Sequence, residues 1–205
     1  MSAFDFFDDV RCINRSDQTD RWTRMQARFS KLDIVDRVRR FDAVRSPADA
    51  RIGRILSHRR ILQDAAERGL RSVLVIEDET LFLDRSDAIL ACATRALRDR
   101  SWKLLHLGTW RGCDGLAIEA GCAHLAPAAG RVGPHAIAYG AAGFDEILAR
   151  LPMSFGAMAD FLGADRAIDD VLAAVDASWV VCPAIATVPI SLPYQEPADQ
   201  LRFVA

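Results

Sequence analysis

The feature that most constrains this chain is Val73-Leu74-Val75-Ile76, a continuous apolar run that stops abruptly at Glu77-Asp78-Glu79. A strand covered on both faces reads this way, because neither side of it meets water. The segment before it has helical spacing: Ile52, Ile55, Leu56, Leu62, Ala65 and Ala66 recur at three- and four-residue intervals. Asp49 suits the cap of that helix, and Gly69 suits its C-terminal stop. Short β-branched runs and helical segments alternate elsewhere too. Strands are expected near residues 10–14, 36–44, 104–107, 135–139 and 179–182. Helices are expected over 19–31, opened by Thr19 or Asp20, and over 84–99, 143–151 and 165–175. The pattern predicts an α/β fold, a sheet with helices on both faces.

Size and composition narrow the function classes. A chain of 205 residues fits one domain, and 51% hydrophobic with 26% charged residues is ordinary globular composition. A net charge of -2 supplies no basic field for nucleic acid. The five cysteines form no C-x-x-C pair, so inert thiols in a reducing compartment are expected rather than a zinc or redox motif. The acidic start, MSAFDFFDDV, is unlike an export signal. Residues 177–195 are uncharged, but Pro183, Pro189 and Pro193 would break a membrane helix. A buried strand followed by an extended loop is expected there, in a soluble, cytoplasmic protein. Residues 111–133 hold five glycines, many alanines and no periodicity, which reads as a long loop within the single domain.

Chemistry enters at the acidic triplet. Ligands of open α/β sheets collect beyond the carboxyl ends of the strands. Three successive acids there would concentrate negative charge in one space, which a hard divalent cation would relieve while leaving positions for substrate phosphates. A cation so placed stabilises the charge of a departing nucleotide. Acids in a solvated turn after a strand are the plainer alternative.

Six blocks in order resemble glycosyltransferase family 25, which includes lipo-oligosaccharide galactosyltransferases and collagen galactosyltransferase domains. They are Ile13-Asn14 with Thr19-Asp20-Arg21-Trp22; Arg51-Ile52-Gly53 through Leu56-Ser57-His58 to Leu62; Val73 to Asp78; Ser101-Trp102-Lys103 to Gly108; His135 to Tyr139; and Ala167-Ile168-Asp169-Asp170. Three departures stand out: Arg15-Ser16 where the family has Leu-Asp, Glu79 where it has Asp, and Lys103 in place of an acid.

The resemblance implies a GT-A-like, Rossmann-like mixed sheet that binds a UDP-sugar with a divalent cation, Mn2+ or Mg2+. It implies that Asp78 and Glu79 hold the metal, with Glu77 as ligand or supporting partner. Asn14, Arg15, Asp20 and Arg21 would then lie where the base and ribose bind, with His58 and His135 around the donor. Ordinary readings exist for several of these. Asp20 suits a helix cap, Arg21 a solvated side chain, and His58 a packing residue beside the apolar stripe; His135 could contact diphosphate or merely pack.

An inverting transfer needs a carboxylate to deprotonate the incoming hydroxyl. Asp169 is the first choice and Asp170 the second, although both also suit a helix N-terminus; Asp114 and Glu119 on the loop are weaker candidates. The acceptor would be a cell-envelope glycan or another glycoconjugate, with at most peripheral membrane contact. Two other classes remain: a GT-A-like module that binds without turnover, motivated by the three departures, and a phosphate-cleaving metalloenzyme, for which no nucleophile motif is present.

Overall fold

The computed structural model describes residues 2–83, 85–110, 113–118, 122–130, 133 and 135–189. In chain order the elements are β1 (Asp9–Asn14), α1 (Thr19–Lys31), β2 (Val38–Asp42), α2 (Ala50–Glu67), β3 (Ser72–Glu77), β4 (Leu81–Phe82), α3 (Ser86–Leu97), β5 (Leu104–His106), β6 (Leu125–Pro127), β7 (Ala136–Gly140), α4 (Phe144–Arg150), α5 (Phe155–Gly163), α6 (Ile168–Ala173), β8 (Ser178–Val181) and β9 (Ala186–Thr187). Seven strands form one mixed sheet in the order β2-β1-β3-β7-β5-β8-β6, and β4 with β9 forms a small antiparallel ribbon. β2, β1 and β3 pair in parallel, as do β5 and β8. β7 runs antiparallel between β3 and β5, and β6 is an antiparallel edge. Asn14, Glu77 and His106 therefore finish their strands at one edge of the sheet.

Alternation along β3 divides the core. Leu74 and Ile76 meet Met25 and Phe29 of α1, Leu90, Ala93 and Leu97 of α3, and Phe4 and Phe7. Val73 and Val75 belong to the other face, with Ile55, Ile61 and Leu62 of α2, Phe144 and Ile147 of α4, and Ile168, Val171 and Leu172 of α6. Helices thus cover both faces, and each fully buried Leu or Ile contributes ~1.5–3 kcal/mol.

Helix α2 departs from its expected face in an instructive way. Ala66 points outward, while Ser57, His58 and Arg59 are buried beside Ile55, Ile61 and Leu62. The polar atoms of Ser57 and Arg59 are compensated. Ser57 Oγ donates to the Gly53 carbonyl at 2.7 Å and accepts from Val44 N at 2.9 Å, and Arg59 Nη1 donates to the Leu151 carbonyl at 3.1 Å. Gly53 is required here, since a Cβ would collide with the Val44 carbonyl oxygen. Asp49 caps the helix by accepting from Arg51 N at 2.8 Å, and Gly69 follows at φ +64°.

Other expectations are corrected. Gln18, not Thr19 or Asp20, stands at the cap position of α1, and its side chain makes no capping bond. The 111–133 segment contains β6, an edge strand that tolerates Pro127 because one side of it needs no partner. Helix α5 was not evident in the pattern. Cys113 and Cys182 form a disulfide rather than two inert thiols, with Cα atoms 5.8 Å apart. They lie 69 residues apart in the chain, a pairing that local spacing cannot reveal. The uncharged segment does begin as buried strand β8; beyond residue 189 it lies outside the described residues. Among the described residues no helix is long and apolar enough to cross a membrane.

Candidate active site

The edge where β1, β3 and β5 end carries two polar clusters, one on each face of the sheet. The first belongs to β1 and α1. Asn14, at the end of β1, is 1% exposed and donates from Nδ2 to Asp78 Oδ2 at 2.7 Å. Arg21, in the first turns of α1, reaches Asp78 Oδ1 at 3.3 Å and Glu79 Oε1 at 2.6 Å. Asn14 Oδ1 is buried without a hydrogen-bond partner. A groove of about 310 Å³ opens beside this cluster, lined by Asp17, Gln18, Thr19, Asp20, Arg21 and Arg24. Asp20 is exposed on its wall. Arg15 instead folds back onto Asp17 through two hydrogen bonds of 3.1 and 2.8 Å.

The second cluster lies on the α2 and α6 side. Glu77 accepts a two-point contact from Arg54, Nε to Oε1 and Nη2 to Oε2, the latter at 3.0 Å. His58 is wholly buried beneath the pair; its Nε2 lies 3.7 Å from Glu77 Oε1, and its Nδ1 is 2.8 Å from the Tyr139 hydroxyl. With Nε2–H facing the carboxylate, Nδ1 is the acceptor for the Tyr139 O–H. Burial pulls the Glu77 carboxyl upward, but His58 and the Arg54 guanidinium outweigh it and hold the group at about 2. Burial lowers His58, against the opposing pull of Glu77.

Asp169, in the first turn of α6, completes this cluster. Its Oδ2 is 3.8 Å from Arg54 Nη1, and its Oδ1 accepts from Trp110 Nε1 at 3.0 Å. Asp170 turns away: its Oδ2 accepts from Ala167 N at 2.6 Å, closing the first turn of the helix. His135 is 1% exposed, with Nε2 3.3 Å from the Ala186 carbonyl and its ring 5.2 Å from that of Trp110. Its carbonyl accepts from Glu77 N at 2.8 Å, so it packs under the strand end rather than opening to solvent. Gly108 makes room for the ring, since a Cβ there would lie 2.7 Å from His135 Nε2 and would strike the Ala186 carbonyl. Burial lowers the pKa of His135 as well.

The acidic triplet is therefore split. Glu77 shares the face of Val73 and Val75, Asp78 the face of Leu74 and Ile76, so their charge is not pooled as the linear sequence suggests. Among the described residues no three His, Cys, Asp or Glu side chains are grouped closely enough to hold a metal ion. Asp78 and Glu79, both oxygen donors bridged by Arg21, fit a different mode, in which one or two carboxylates and substrate phosphates share a hard cation. The orphaned Asn14 Oδ1 adds a neutral oxygen to that set.

Arg54, Tyr139 and Trp110 are site residues that the sequence reading missed. Arg54 carried a signal, since it lies one helical turn before His58. Trp110 lies just past the end of β5, on the side of the sheet where open α/β folds in general bind ligands. Glu119 lies outside the described residues, and Asp114 is in the segment tied down by Cys113.

No protein-family profile matches this sequence, and no curated protein matches it either. Solved structures that are similar include one described as a glycosyltransferase involved in the glycosylation of the major capsid of PBCV-1. It matches at 8% identity and a TM-score of 0.43, over 75% of this chain and 74% of that one.

Proposed function

We propose that this chain is a glycosyltransferase that moves a sugar from a UDP-sugar to a hydroxyl of a glycan or glycolipid, with inversion at the transferred carbon. The observation that carries the reading is the placement of Asp169. It is a part-exposed carboxylate at the ligand-binding edge, oriented by Trp110 Nε1 and faced by Arg54. As general base it takes the proton of the acceptor hydroxyl. The acceptor oxygen forms the new bond to the anomeric carbon while the bond to the UDP oxygen breaks, and UDP departs with that electron pair. Arg54 and Glu77 neutralise one another beside the base and keep it in place. On the other face, Asn14, Asp20, Arg21 and Arg24 form the donor groove. Mn2+ or Mg2+ held by Asp78 and Glu79 would supply charge stabilisation for the diphosphate.

Galactose is the donor sugar most common in the family that the motifs resemble, and a cell-envelope glycan is the corresponding acceptor. That setting implies the cytoplasm, in peripheral contact with the inner face of the membrane when the acceptor is a lipid, although the Cys113–Cys182 bond suits an oxidising compartment better. A second reading, a nucleotide-sugar or glycan-binding module without turnover, is favoured by one observation. Arg21 already occupies the charge of both Asp78 and Glu79.

Calorimetric titration of UDP with manganese, and then with EDTA, tests the donor site. Binding that needs manganese and is lost in Asp78→Ala supports it. Transfer by Asp169→Asn at the wild-type rate would overturn the assignment of the base. Donor binding without transfer to any hydroxyl acceptor would favour the module.

A further inference from the structure

Trp110 is 50% exposed, whereas Trp side chains in general are largely covered. Its position is fixed at two points. Nε1 donates to Asp169 Oδ1 at 3.0 Å, and the ring rests against His135 at 5.2 Å with an interplanar angle of 58°. The single polar atom of the indole is thus spent, and what it offers to solvent is flat hydrocarbon and π surface. Beside that surface stand hydrogen-bonding groups of both kinds: the Asp169 carboxylate and the Arg54 guanidinium, 3.8 Å apart. With Glu77 included, two carboxylates face one guanidinium, and burial keeps His58 and His135 toward their neutral forms. Among the described residues, the groups beside the ring thus offer both acceptors and a donor.

We propose that Trp110 is the platform for the acceptor sugar, on which the C–H face of a neutral pyranose stacks while its hydroxyls bond to Asp169 and Arg54. A pyranose matches each part of the surface. Its axial C–H groups meet the ring, and vicinal hydroxyls meet a carboxylate and a guanidinium 3.8 Å apart. The donor's diphosphate is assigned to the groove at α1, where Arg21 and Arg24 line the wall, which leaves the Trp110 surface to a neutral sugar. Because the same Oδ1 contact that fixes the ring also orients Asp169, the platform presents a hydroxyl to the carboxylate that would deprotonate it. The inference rests on the transferase reading for the role of that sugar as acceptor, and not for the binding itself.

Saturation-transfer NMR on the full chain tests it, with methyl β-galactopyranoside, methyl β-glucopyranoside, methyl α-mannopyranoside and uridine as probes. The expected result is saturation of ring C–H protons in at least one methyl glycoside. That signal should be kept in Trp110→Phe and correspond to about fivefold weaker binding in Trp110→Ala, the size of one aromatic contact. Thermal melts of both variants confirm that each is folded. Three results would overturn the proposal: no saturation of any glycoside, equal saturation in wild type and Trp110→Ala, or a Trp110-dependent signal from uridine alone. The UDP titration separates this failure from that of the transferase reading. UDP binding without glycoside binding sinks the platform and leaves the donor site, whereas the reverse keeps the platform and sinks the donor assignment.

Discussion

Glu77 and Asp78 are adjacent on one strand end, yet their carboxylates engage different helices: Glu77 meets Arg54 of α2, and Asp78 meets Arg21 of α1. Their roles are consequently separable. Glu77 is a partly buried anion whose charge is balanced locally, and Asp78 is the group beside the proposed donor groove. Substitutions at the two positions should report different quantities, stability for the first and ligand binding for the second.

Removing the partner of Glu77 is the direct test of that division. Arg54→Met leaves a partly buried carboxylate uncompensated and should cost about 3 kcal/mol, the low end for a buried pair because solvent reaches both side chains. For a chain of this size that corresponds to a melting point lower by roughly 10 °C. The double variant Arg54→Met with Glu77→Leu should recover most of the loss, because a buried ion pair exchanged for apolar side chains is often close to neutral. A single variant that melts with wild type would show that the pair is solvated and not structural.

Much of this arrangement was legible before any coordinates. The run Val73–Ile76 and the Asp49 cap each follow from local rules of period and capping and are found where those rules put them, whereas the α2 stripe is kept only in part, with Ala66 outward and Ser57, His58 and Arg59 buried. The split of the acidic triplet was implicit in the two-residue period of a strand, but the triplet extends past the strand end, where that period ceases to be binding. In sequence, no physical difference between them sets Asp169 above Asp170. Only the placement of α6 turns the first toward Trp110 and leaves the second bonded to Ala167 N. The Cys113–Cys182 bond and the approach of Tyr139 to His58 depend on contacts between remote segments, for which neither spacing nor composition carries a signal.

Acid should weaken the fold first through histidine. His106 is fully buried on β5, and burial, with His135 nearby, holds it down at about 4 against an ordinary value of 6.5. A histidine kept neutral in the folded state contributes stability that is complete above the unfolded pKa and is lost as pH falls from 6.5 toward 4. The loss amounts to about 3 kcal/mol from this group. Urea unfolding at intervals over that range should show the decline, and His106→Leu should flatten it. An unchanged slope in the variant would assign the effect to His58 and His135 instead.

A second loss is expected at lower pH. Asp9, nearly fully buried on β1, accepts from Arg11 at 2.8 Å and Arg68 at 3.0 Å and also meets Arg39. Burial alone would raise its pKa, but the three guanidinium groups outweigh it and hold the carboxyl at about 2 against 3.8. The corresponding stability is present above pH 3.8 and disappears as pH falls toward 2. With the exposed arginines screened by solvent, about 1–2 kcal/mol is expected. Asp9→Asn should lower stability at pH 7 by that order and make the dependence below pH 4 shallower, the rest of which belongs to Glu77 and the other paired carboxylates, read from the same unfolding curves.

The cysteines should divide into three kinds in one labelling experiment. Cys12 is fully buried, and burial raises its thiol well above the usual range, so it should stay unlabelled by a thiol reagent until the chain unfolds. Cys92 is only partly buried and should be the first to react, whereas Cys122, buried with its sulfur 3.3 Å away, should follow. Cys113 and Cys182 should become available only after reduction. Their bond closes a loop with a sequence separation of 69, for which chain entropy predicts a contribution of up to about 4 kcal/mol. A phosphine reductant should therefore lower the urea midpoint of the wild type and leave the double variant Cys113→Ser, Cys182→Ser unmoved at its already lower value. If reductant shifted both proteins equally, the stabilisation would belong to a Cys92–Cys122 bond formed under oxidising conditions, and the 113–182 link would carry little of the fold.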